Sequence, residues 1–212
     1  MNLIMVTVIT IHYYNNDLPE SLVLEGDLAI DTEATGLHLN RDRLCVLQIS
    51  NGDGNAHLVK FDLGSYEAPN LKKLLSNPKT CKIFHYGRFD IAMIYKFLNI
   101  ELKNIYCTKI ASKIARTYTD GHGLKDICRE LLGVNISKQQ QCSYWGAAEL
   151  SKEQQEYAAS DVLHLHALRK ELNSMLERED RQNLVEECFE FLPMRAKLDV
   201  LGWGEVDIFS HR

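Results

Sequence analysis

The sequence predicts an α/β domain in which a mixed sheet is flanked by helices. The first 61 residues read as strands separated by turns, and from about residue 70 the spacing of apolar residues becomes helical. No repeat, low-complexity tract or linker interrupts the 212 residues, of which 45% are hydrophobic. A chain of this size and composition supports one ordinary core, so we expect a single domain.

The strands are concentrated in the first part of the chain. Strand-like segments occur at residues 4–11, 22–24, 28–31, 44–49 and 57–61. Clusters of asparagine, aspartate and glycine separate them, and these residues favour turns. Such short connections predict a mostly antiparallel arrangement of these strands, with the strand at 28–31 near the middle of the sheet.

Helices dominate the second part of the chain. We expect them at about residues 69–76, 88–98, 108–116, 124–132, 153–177 and 182–191, with short strands at 81–85 and near 105–106. Ser151 and Gln154 form a capping box at the start of the longest helix. Pro193 is expected to end the last helix and leave a tail at residues 201–212.

The charge balance limits what the protein can bind. Lysine and arginine total 24, aspartate and glutamate total 29, and the formal net charge is -5. A protein that grips a long duplex through many phosphates usually carries a basic surface. We therefore expect any nucleic-acid site to be local, or its substrate to be short.

The cysteines and the first residues bear on the compartment. Six cysteines are scattered without a C-x-x-C motif, which argues against a zinc module or a disulfide framework and suits a reducing cytoplasm. The run at residues 3–11 is apolar and rich in β-branched residues, and the first basic residue is Arg41. We expect a strand there, and neither an export signal nor a membrane span.

Two carboxylates follow the strand expected at residues 28–31. Asp31 and Glu33 are two positions apart, and side chains alternate faces along a strand, so both point the same way. Like charges this close need shared protons or a cation, and Mg²⁺ or Mn²⁺ takes oxygen ligands of this kind. An isolated Asp-x-Glu is also typical of an acidic turn, so the pair gains meaning if further carboxylates converge on it.

Two later segments supply further carboxylates. Asp90 falls in the first turn of an expected helix, where it could also serve only the helix dipole. Tyr157 and Asp161 are four positions apart and share one helix face, as many surface pairs do. Together the segments offer four carboxylates and a phenol, which is what phosphodiester hydrolysis with two divalent cations, Mg²⁺ or Mn²⁺, requires.

The order and surroundings of these segments resemble motifs I, II and III of the DEDD 3′–5′ exonucleases, tyrosine subclass, and of the RNase D branch in particular. The match covers about residues 27–168 and includes His85 and the string Lys138-x-x-Gln141-x-Ser143-x-Trp145. The resemblance implies an RNase H-like fold. It also implies one 3′–5′ exonuclease domain over residues 1–212, with C-terminal helices and a tail at 169–212.

The resemblance further implies catalytic roles for five residues. Asp31, Glu33 and Asp161 would hold one ion and Asp31 the second, with Asp90 helping directly or through water. Tyr157 would orient the attacking water, because a phenol with an ordinary pKa near 10 is a poor base.

Within the RNase D branch the chain is similar to the nano-RNase C family. RNase D proper carries additional C-terminal RNA-binding domains, whereas here about fifty residues follow Asp161. This similarity implies hydrolysis of short oligoribonucleotides, especially dinucleotides, and assembly into an octameric ring, with short DNA as a further substrate. The alternatives are an RNase D-type enzyme that trims longer RNA or DNA 3′ ends, and a non-catalytic nucleic-acid-binding scaffold.

Eight residues are candidates for substrate contacts. Leu37 either wedges between two bases or packs inside its own turn. His85 and Ser143 are expected to donate to phosphate or ribose. The basic candidates contact phosphate unless they are simply solvated, and the tryptophan stacks on a base unless it is buried. The set is Thr32, Leu37, His85, Arg88, Lys138, Gln141, Ser143 and Trp145.

Overall fold

A six-stranded sheet forms the centre of the computed structural model, which describes residues 9–137 and 139–211. Its strands are β1 (Thr10–Asn15), β2 (Leu28–Ala34), β3 (Leu44–Ser50), β4 (Asn55–Lys60), β5 (Lys82–Phe84) and β6 (Ile105–Cys107). They are arranged in the order β1-β4-β3-β2-β5-β6. The inner position of β2 is therefore as predicted. The first part of the expected N-terminal strand, residues 4–8, lies outside the described residues.

The sheet is mixed, which confirms the predicted fold class. β3 pairs antiparallel with β2 and β4, whereas β1–β4, β2–β5 and β5–β6 are parallel. The strand expected at residues 22–24 is wrong, because this segment forms no strand. Leu22 and Leu24 pack on the core from a connecting segment, and Val23 is exposed. The alternation of partly buried and exposed residues at 22–24 therefore comes from a loop that packs on the core, and not from a strand.

Seven α-helices cover the sheet in the described residues. They are α1 (Pro69–Leu75), α2 (Arg88–Leu98), α3 (Thr108–Ala115), α4 (Leu124–Ile127), α5 (Lys152–Leu163), α6 (Leu165–Arg178) and α7 (Gln182–Leu198). A π-helical turn follows α4 at Cys128–Leu132, and another follows α7 at Asp199–Trp203. None of these helices combines the length and hydrophobicity that a bilayer-spanning segment requires.

The long helix expected at 153–177 is two helices. The predicted capping box of Ser151 and Gln154 is present at the start of α5. His164 then leaves helical geometry, with φ −104° and ψ −6°, and α6 begins after it. α5 packs against β2, β3 and β4, whereas α6 packs against α3 and β5. The break allows α5 and α6 to pack against different elements. The helical spacing of apolar residues alone does not indicate such a break.

The expected end of the last helix at Pro193 is also wrong. Pro193 lies inside α7, which continues to Leu198. A proline removes one backbone donor and strains the preceding turn, but tertiary packing can outweigh this cost. Buried residues lie on both sides of it, including Leu192 and Ala196, and α7 packs against α2 and β6. The buried face therefore continues through the proline.

Candidate active site

Three carboxylates meet where β2 faces α5. Asp31 and Glu33 lie on one face of β2, and Asp161 lies near the end of α5. One carboxylate oxygen from each residue lies within 4.8 Å of the other two. This trio is the group of metal-ligating side chains found among the described residues. Oxygen donors at this spacing suit a divalent cation such as Mg²⁺ or Mn²⁺.

Asp90 borders the trio from the first turn of α2. Its side chain is buried, and its Oδ1 accepts hydrogen bonds from the Thr32 hydroxyl at 2.6 Å and the Thr32 N–H at 3.1 Å. The Asp90 charge raises the pKa values of Asp31 and Glu33, which places it within electrostatic reach of both. The four carboxylates, Asp31, Glu33, Asp90 and Asp161, form what we call the acidic cluster.

The acidic cluster is strained electrostatically when it holds neither protons nor cations. Burial raises the pKa of Asp90 to about 6 and that of Asp161 to about 7. The pKa values of Asp31 and Glu33 lie well above their ordinary range, because of burial first and of the neighbouring carboxylates second. Cations at the cluster would relieve this cost, so the residues present fit a divalent metal site.

Tyr157 completes the set of five motif residues. It lies one turn before Asp161 on α5, so the phenol and the Asp161 carboxylate share one face of the helix. Burial, followed by the charges of Asp161 and Glu33, raises the pKa of the phenol. The phenol therefore keeps its proton at neutral pH in the metal-free chain, where it can donate or accept a hydrogen bond.

Leu37 is the most exposed of the substrate candidates, with 82% of its surface accessible. Its loop is fixed by Asp42, whose carboxylate accepts the His38 N–H at 2.9 Å. A Cβ on Gly36 would lie 2.4 Å from Asp42 Oδ2, so this approach requires a glycine. The exposed leucine does not plug its turn, and the alternative of a leucine packed in the core is wrong.

His85 has a defined hydrogen-bond arrangement. Its Nδ1 lies 2.9 Å from the Thr108 hydroxyl, and that hydroxyl donates to the Phe84 carbonyl at 3.1 Å. Because the single hydroxyl proton is used in this way, Nδ1 must donate to Thr108. Residues of α3 and β5 thus orient the ring. His85 directly follows β5, and Asp90 lies five residues later in α2.

The segment at residues 139–146 carries three further candidates. The Ser143 hydroxyl accepts from Gln154 Nε2 at 3.0 Å, and Gln141 is exposed. Trp145 is 2% exposed, with its ring centroid 6.0 Å from that of Tyr157. The expectation that Trp145 stacks on a base is therefore wrong, and burial, the alternative, is observed. Lys138 lies outside the described residues.

Arg88 does not act as an unpaired phosphate partner in this structure. Its guanidinium donates to both carboxylate oxygens of Asp199, at 2.6 and 2.8 Å, and to the Gly204 carbonyl at 3.0 Å. The structure thus gives the guanidinium an ion pair within the chain, and its expected phosphate contact stays a prediction. Asp199 lies 111 residues further along the chain, so no local pattern indicated it.

Gln48 is a residue of this site that sequence reasoning missed. It lies on β3 directly opposite Asp31, is fully buried, and donates to Asp31 Oδ2 at 3.3 Å. The signal that could have found it is the strand register, since opposite residues of an antiparallel pair share a face.

A small cleft opens beside Tyr157 on α5. It has a volume of about 270 Å³, and its lining includes Tyr157, Ser160, His164, Ser137 and Gln140. Most of the lining residues are polar, and Tyr157 lies one turn before Asp161 on α5. The cleft therefore offers space for a small ligand beside Tyr157, one helical turn from Asp161. A larger cavity of about 740 Å³ lies elsewhere, between α2, β6 and α7.

Comparison with known proteins agrees with this geometry. Residues 8–177 match a family model described as 3′–5′ exonuclease, and the chain belongs to that family. The predicted class, an RNase D-like 3′–5′ exonuclease, is thereby confirmed.

Within this family the chain is similar to the nuclease NrnC. It is 53% identical to Brucella melitensis NrnC bound to pGG, with a TM-score of 0.93, and the match covers 96% of this chain and 100% of that one. The match to Brucella melitensis NrnC with bound Mg²⁺ has 52% identity, a TM-score of 0.91 and the same coverage, 96% and 100%. The predicted similarity to nano-RNase C is confirmed.

Longer relatives share the same segment. The chain is 32% identical to Ribonuclease D of Gluconacetobacter diazotrophicus over 167 residues, which are 78% of this chain and 42% of that protein. It is 31% identical to DNA polymerase I of Aquifex aeolicus over 155 residues, which are 73% of this chain and 25% of the polymerase. The chain thus spans less than half the length of these relatives.

Proposed function

We propose that this protein is a metal-dependent 3′–5′ exoribonuclease that degrades short oligoribonucleotides, especially dinucleotides, to nucleoside 5′-monophosphates. The observation that carries the proposal is the trio of carboxylate oxygens from Asp31, Glu33 and Asp161 within 4.8 Å of one another. Family membership supplies the reaction class. The acidic cluster supplies the chemistry at a defined place in the fold.

The acidic cluster is the proposed site of two divalent cations, Mg²⁺ or Mn²⁺. Asp31, Glu33 and Asp161 hold one ion, and Asp31 with Asp90 serves the second. Four ionised carboxylates carry four negative charges, which two divalent cations balance. When bound, such ions activate water and stabilise the leaving oxygen of a phosphodiester. The structure of Brucella melitensis NrnC with bound Mg²⁺ supports this assignment.

Tyr157 is proposed to orient the attacking water. Burial and the nearby Asp161 charge raise the pKa of its phenol, so the hydroxyl keeps its proton and can hydrogen-bond a water molecule. A raised pKa keeps this arrangement intact at neutral pH. Tyr157 thus orients the water molecule for attack without removing its proton.

Three features support a short RNA substrate. The net charge of -5 is unsuited to a long phosphate track. Leu37 projects from the turn after Glu33 and offers an apolar wedge for two bases. A relative that is 53% identical was determined bound to pGG. Remaining contacts are proposed for four polar side chains, which are Thr32, His85, Gln141 and Ser143.

A second candidate function is RNase D-type trimming of longer RNA or DNA 3′ ends. The 32% identity to a Ribonuclease D favours it. Relative rates on dinucleotides and longer strands distinguish the two functions, because a site for short substrates loses activity as the strand lengthens.

Self-association is proposed through the C-terminal end of the chain. Large apolar side chains are exposed there, at Met194, Leu201, Trp203, Val206, Ile208 and Phe209. Isolated exposed apolar residues are common, but a cluster of this kind is typical of an interface. The occupant we propose is a second copy of the chain, in the octameric ring that the family resemblance implies. Light scattering of native protein and of F209E tests this, since a monomeric native protein contradicts it.

The proposed compartment is the reducing cytoplasm. The six cysteines are all free, four of them buried. Free buried thiols suit a compartment in which disulfides do not form.

The experiment that tests the proposed activity is a length series. Purified protein with Mg²⁺ or Mn²⁺ is given 5′-labelled RNAs of two, five and twenty nucleotides and a DNA dinucleotide. We expect rapid hydrolysis of the RNA dinucleotide, a steep fall in rate with length, and full inhibition by EDTA. Intact dinucleotides at saturating metal would refute the proposal, and equal rates at all lengths would favour RNase D-type trimming.

A non-catalytic scaffold remains a distinguishable alternative. Such a module needs no cations, so calorimetric titration with Mn²⁺ should show no heat of binding at the acidic cluster. We expect saturable binding that E33Q weakens.

A further inference from the structure

Gln48 lies beside the acidic cluster but belongs to none of the sequence motifs. The register of β2 and β3 places it directly opposite Asp31, so both side chains project from the same face of the sheet. Its Nε2 donates to Asp31 Oδ2 at 3.3 Å, and its side chain is fully buried. Gln48 therefore contacts the one carboxylate that the proposed function assigns to both cations.

The amide of Gln48 is satisfied on one side only. Its Oε1 is buried and has no hydrogen-bond partner within residues 9–137 and 139–211. Reversing the amide would turn Oε1 towards the Asp31 carboxylate, where two acceptors would repel each other. A buried polar atom without a partner costs stability, and an apolar side chain of similar length avoids that cost. Fold stability alone is therefore a poor explanation for a glutamine at this position.

The neutral charge of the amide suits a place beside a cation site. A lysine or arginine opposite Asp31 would supply positive charge and compete with a divalent cation. A glutamate there would add a fifth negative charge to the acidic cluster. A glutamine can hold one oxygen of Asp31 without changing the charge that the cations must balance.

We propose that Gln48 is a positioning residue that fixes the Asp31 carboxylate for divalent-cation binding. The inference rests on the proposed function, because it assumes that Asp31 is a metal ligand. Hydrogen bonds from neighbouring side chains to metal ligands set ligand orientation, and their loss typically weakens metal affinity or activity about 10–100-fold.

The test compares Gln48→Met with the native chain. Methionine keeps the length and burial of the side chain but removes the donor. Isothermal titration with Mn²⁺ after EDTA treatment, without substrate, should show affinity weakened about 10–100-fold. At saturating Mn²⁺, kcat for the RNA dinucleotide should fall while KM stays unchanged. The melting temperature of the metal-free variant should stay close to that of native protein, since loss of the hydrogen bond to Asp31 and removal of the unpartnered Oε1 act in opposite directions.

Gln154→Met is the matched control. Gln154 is also a buried glutamine, but its amide is fully used within the protein. It accepts from the Ser151 N–H at 3.0 Å and donates to the Ser143 hydroxyl at 3.0 Å and the Tyr144 carbonyl at 3.2 Å. We expect this variant to have a clearly lower melting temperature, as a structural role predicts.

Two results would overturn the inference. One is a Gln48→Met protein with native Mn²⁺ affinity and native kcat. The other is a Gln48→Met protein that melts early, as Gln154→Met is expected to do, while binding Mn²⁺ normally. In both cases the native enzyme would still bind Mn²⁺ and hydrolyse RNA, so the proposed function would stand. Failure of the native protein itself to bind Mn²⁺ would instead remove the proposed function.

Discussion

Thr32 holds Asp90 in place by two hydrogen bonds to one carboxylate oxygen. The hydroxyl donates at 2.6 Å and the backbone N–H at 3.1 Å. The two residues are 58 positions apart, on β2 and α2, so these bonds join two of the predicted motifs directly. The middle residue of Asp31-Thr32-Glu33 is therefore a structural partner of the fourth carboxylate.

Replacing Thr32 by valine tests this link. The variant keeps the shape of the side chain but loses the hydroxyl donor, so ionised Asp90 loses one stabilising bond and its pKa should rise further. We expect kcat to fall about 10–100-fold, because hydrogen bonds to charged groups contribute about 1.5–3 kcal/mol. The acidic limb of the pH–rate profile should move to higher pH. Thr32→Ser keeps the hydroxyl and serves as the control; equal loss in both variants would argue against this role.

The pH dependence of stability tests the charge balance of the acidic cluster. Burial raises the pKa of Asp161 from 3.8 to about 7, so between these values the folded chain retains a proton that the unfolded chain has released. The free energy of unfolding must therefore fall as the pH rises through that window. Asp161→Asn removes this proton and its charge, and its metal-free melting temperature should increasingly exceed that of native protein towards neutral pH.

Thermal melts in EDTA from about pH 4 to about pH 8 measure this difference, since each kcal/mol shifts Tm by about 2–4 °C in a chain of this size. Added Mn²⁺ should stabilise native protein more at high pH than at low pH, because protons and cations compete for the same oxygens. A constant difference between the two proteins would contradict the raised pKa.

Leu37 offers a test of substrate contact without a change in the fold. Because 82% of its surface is exposed, Leu37→Ala should leave the melting temperature unchanged. Loss of an apolar wedge should raise KM for the RNA dinucleotide about 5–10-fold, which corresponds to about 1–1.4 kcal/mol of apolar contact. Leu63 is 81% exposed in another loop, and Leu63→Ala is the matched control. Equal KM values for the two variants would remove Leu37 from the substrate site.

Replacing Arg88 tests whether its side chain stabilises the fold or contacts the substrate. The Arg88 guanidinium bonds both oxygens of a nearly buried carboxylate, so Arg88→Met should destabilise the fold by about 1–3 kcal/mol. KM for the dinucleotide should stay unchanged at temperatures well below melting. Arg195 also donates to Asp199, at 3.1 Å, and Arg195→Met should behave in the same way. A raised KM at unchanged stability would restore the phosphate contact expected from the sequence.

Local spacing accounts for the parts of the site that were predictable. A two-residue step on a strand fixed the relation of Asp31 to Glu33, and a four-residue step on a helix fixed that of Tyr157 to Asp161. That the three segments meet at one site was expected because their order resembles that of the exonuclease motifs. The structure brings these residues together, while their catalytic roles stay predictions.

The features that sequence reasoning missed depend on contacts between distant segments. Gln48 faces Asp31 because of a strand register, and Arg88 meets Asp199 across 111 positions. Burial of Trp145 against Tyr157 and the continuation of α7 through Pro193 are likewise tertiary effects. The sequence was compatible with either outcome in each case, and packing decided between them.

Hydrolysis of a 5′-labelled RNA dinucleotide by native protein and Asp161→Asn, with and without Mn²⁺, tests the central claim most directly. The acidic cluster predicts rapid release of mononucleotides by native protein with Mn²⁺ and none in EDTA. The folded Asp161→Asn variant should be slower by on the order of 100-fold or more, equivalent to about 2.7 kcal/mol of transition-state stabilisation. Exposed Glu171→Gln, on α6, should retain native activity. Native turnover by Asp161→Asn, or undiminished activity in EDTA, would contradict a metal-dependent site built from these carboxylates.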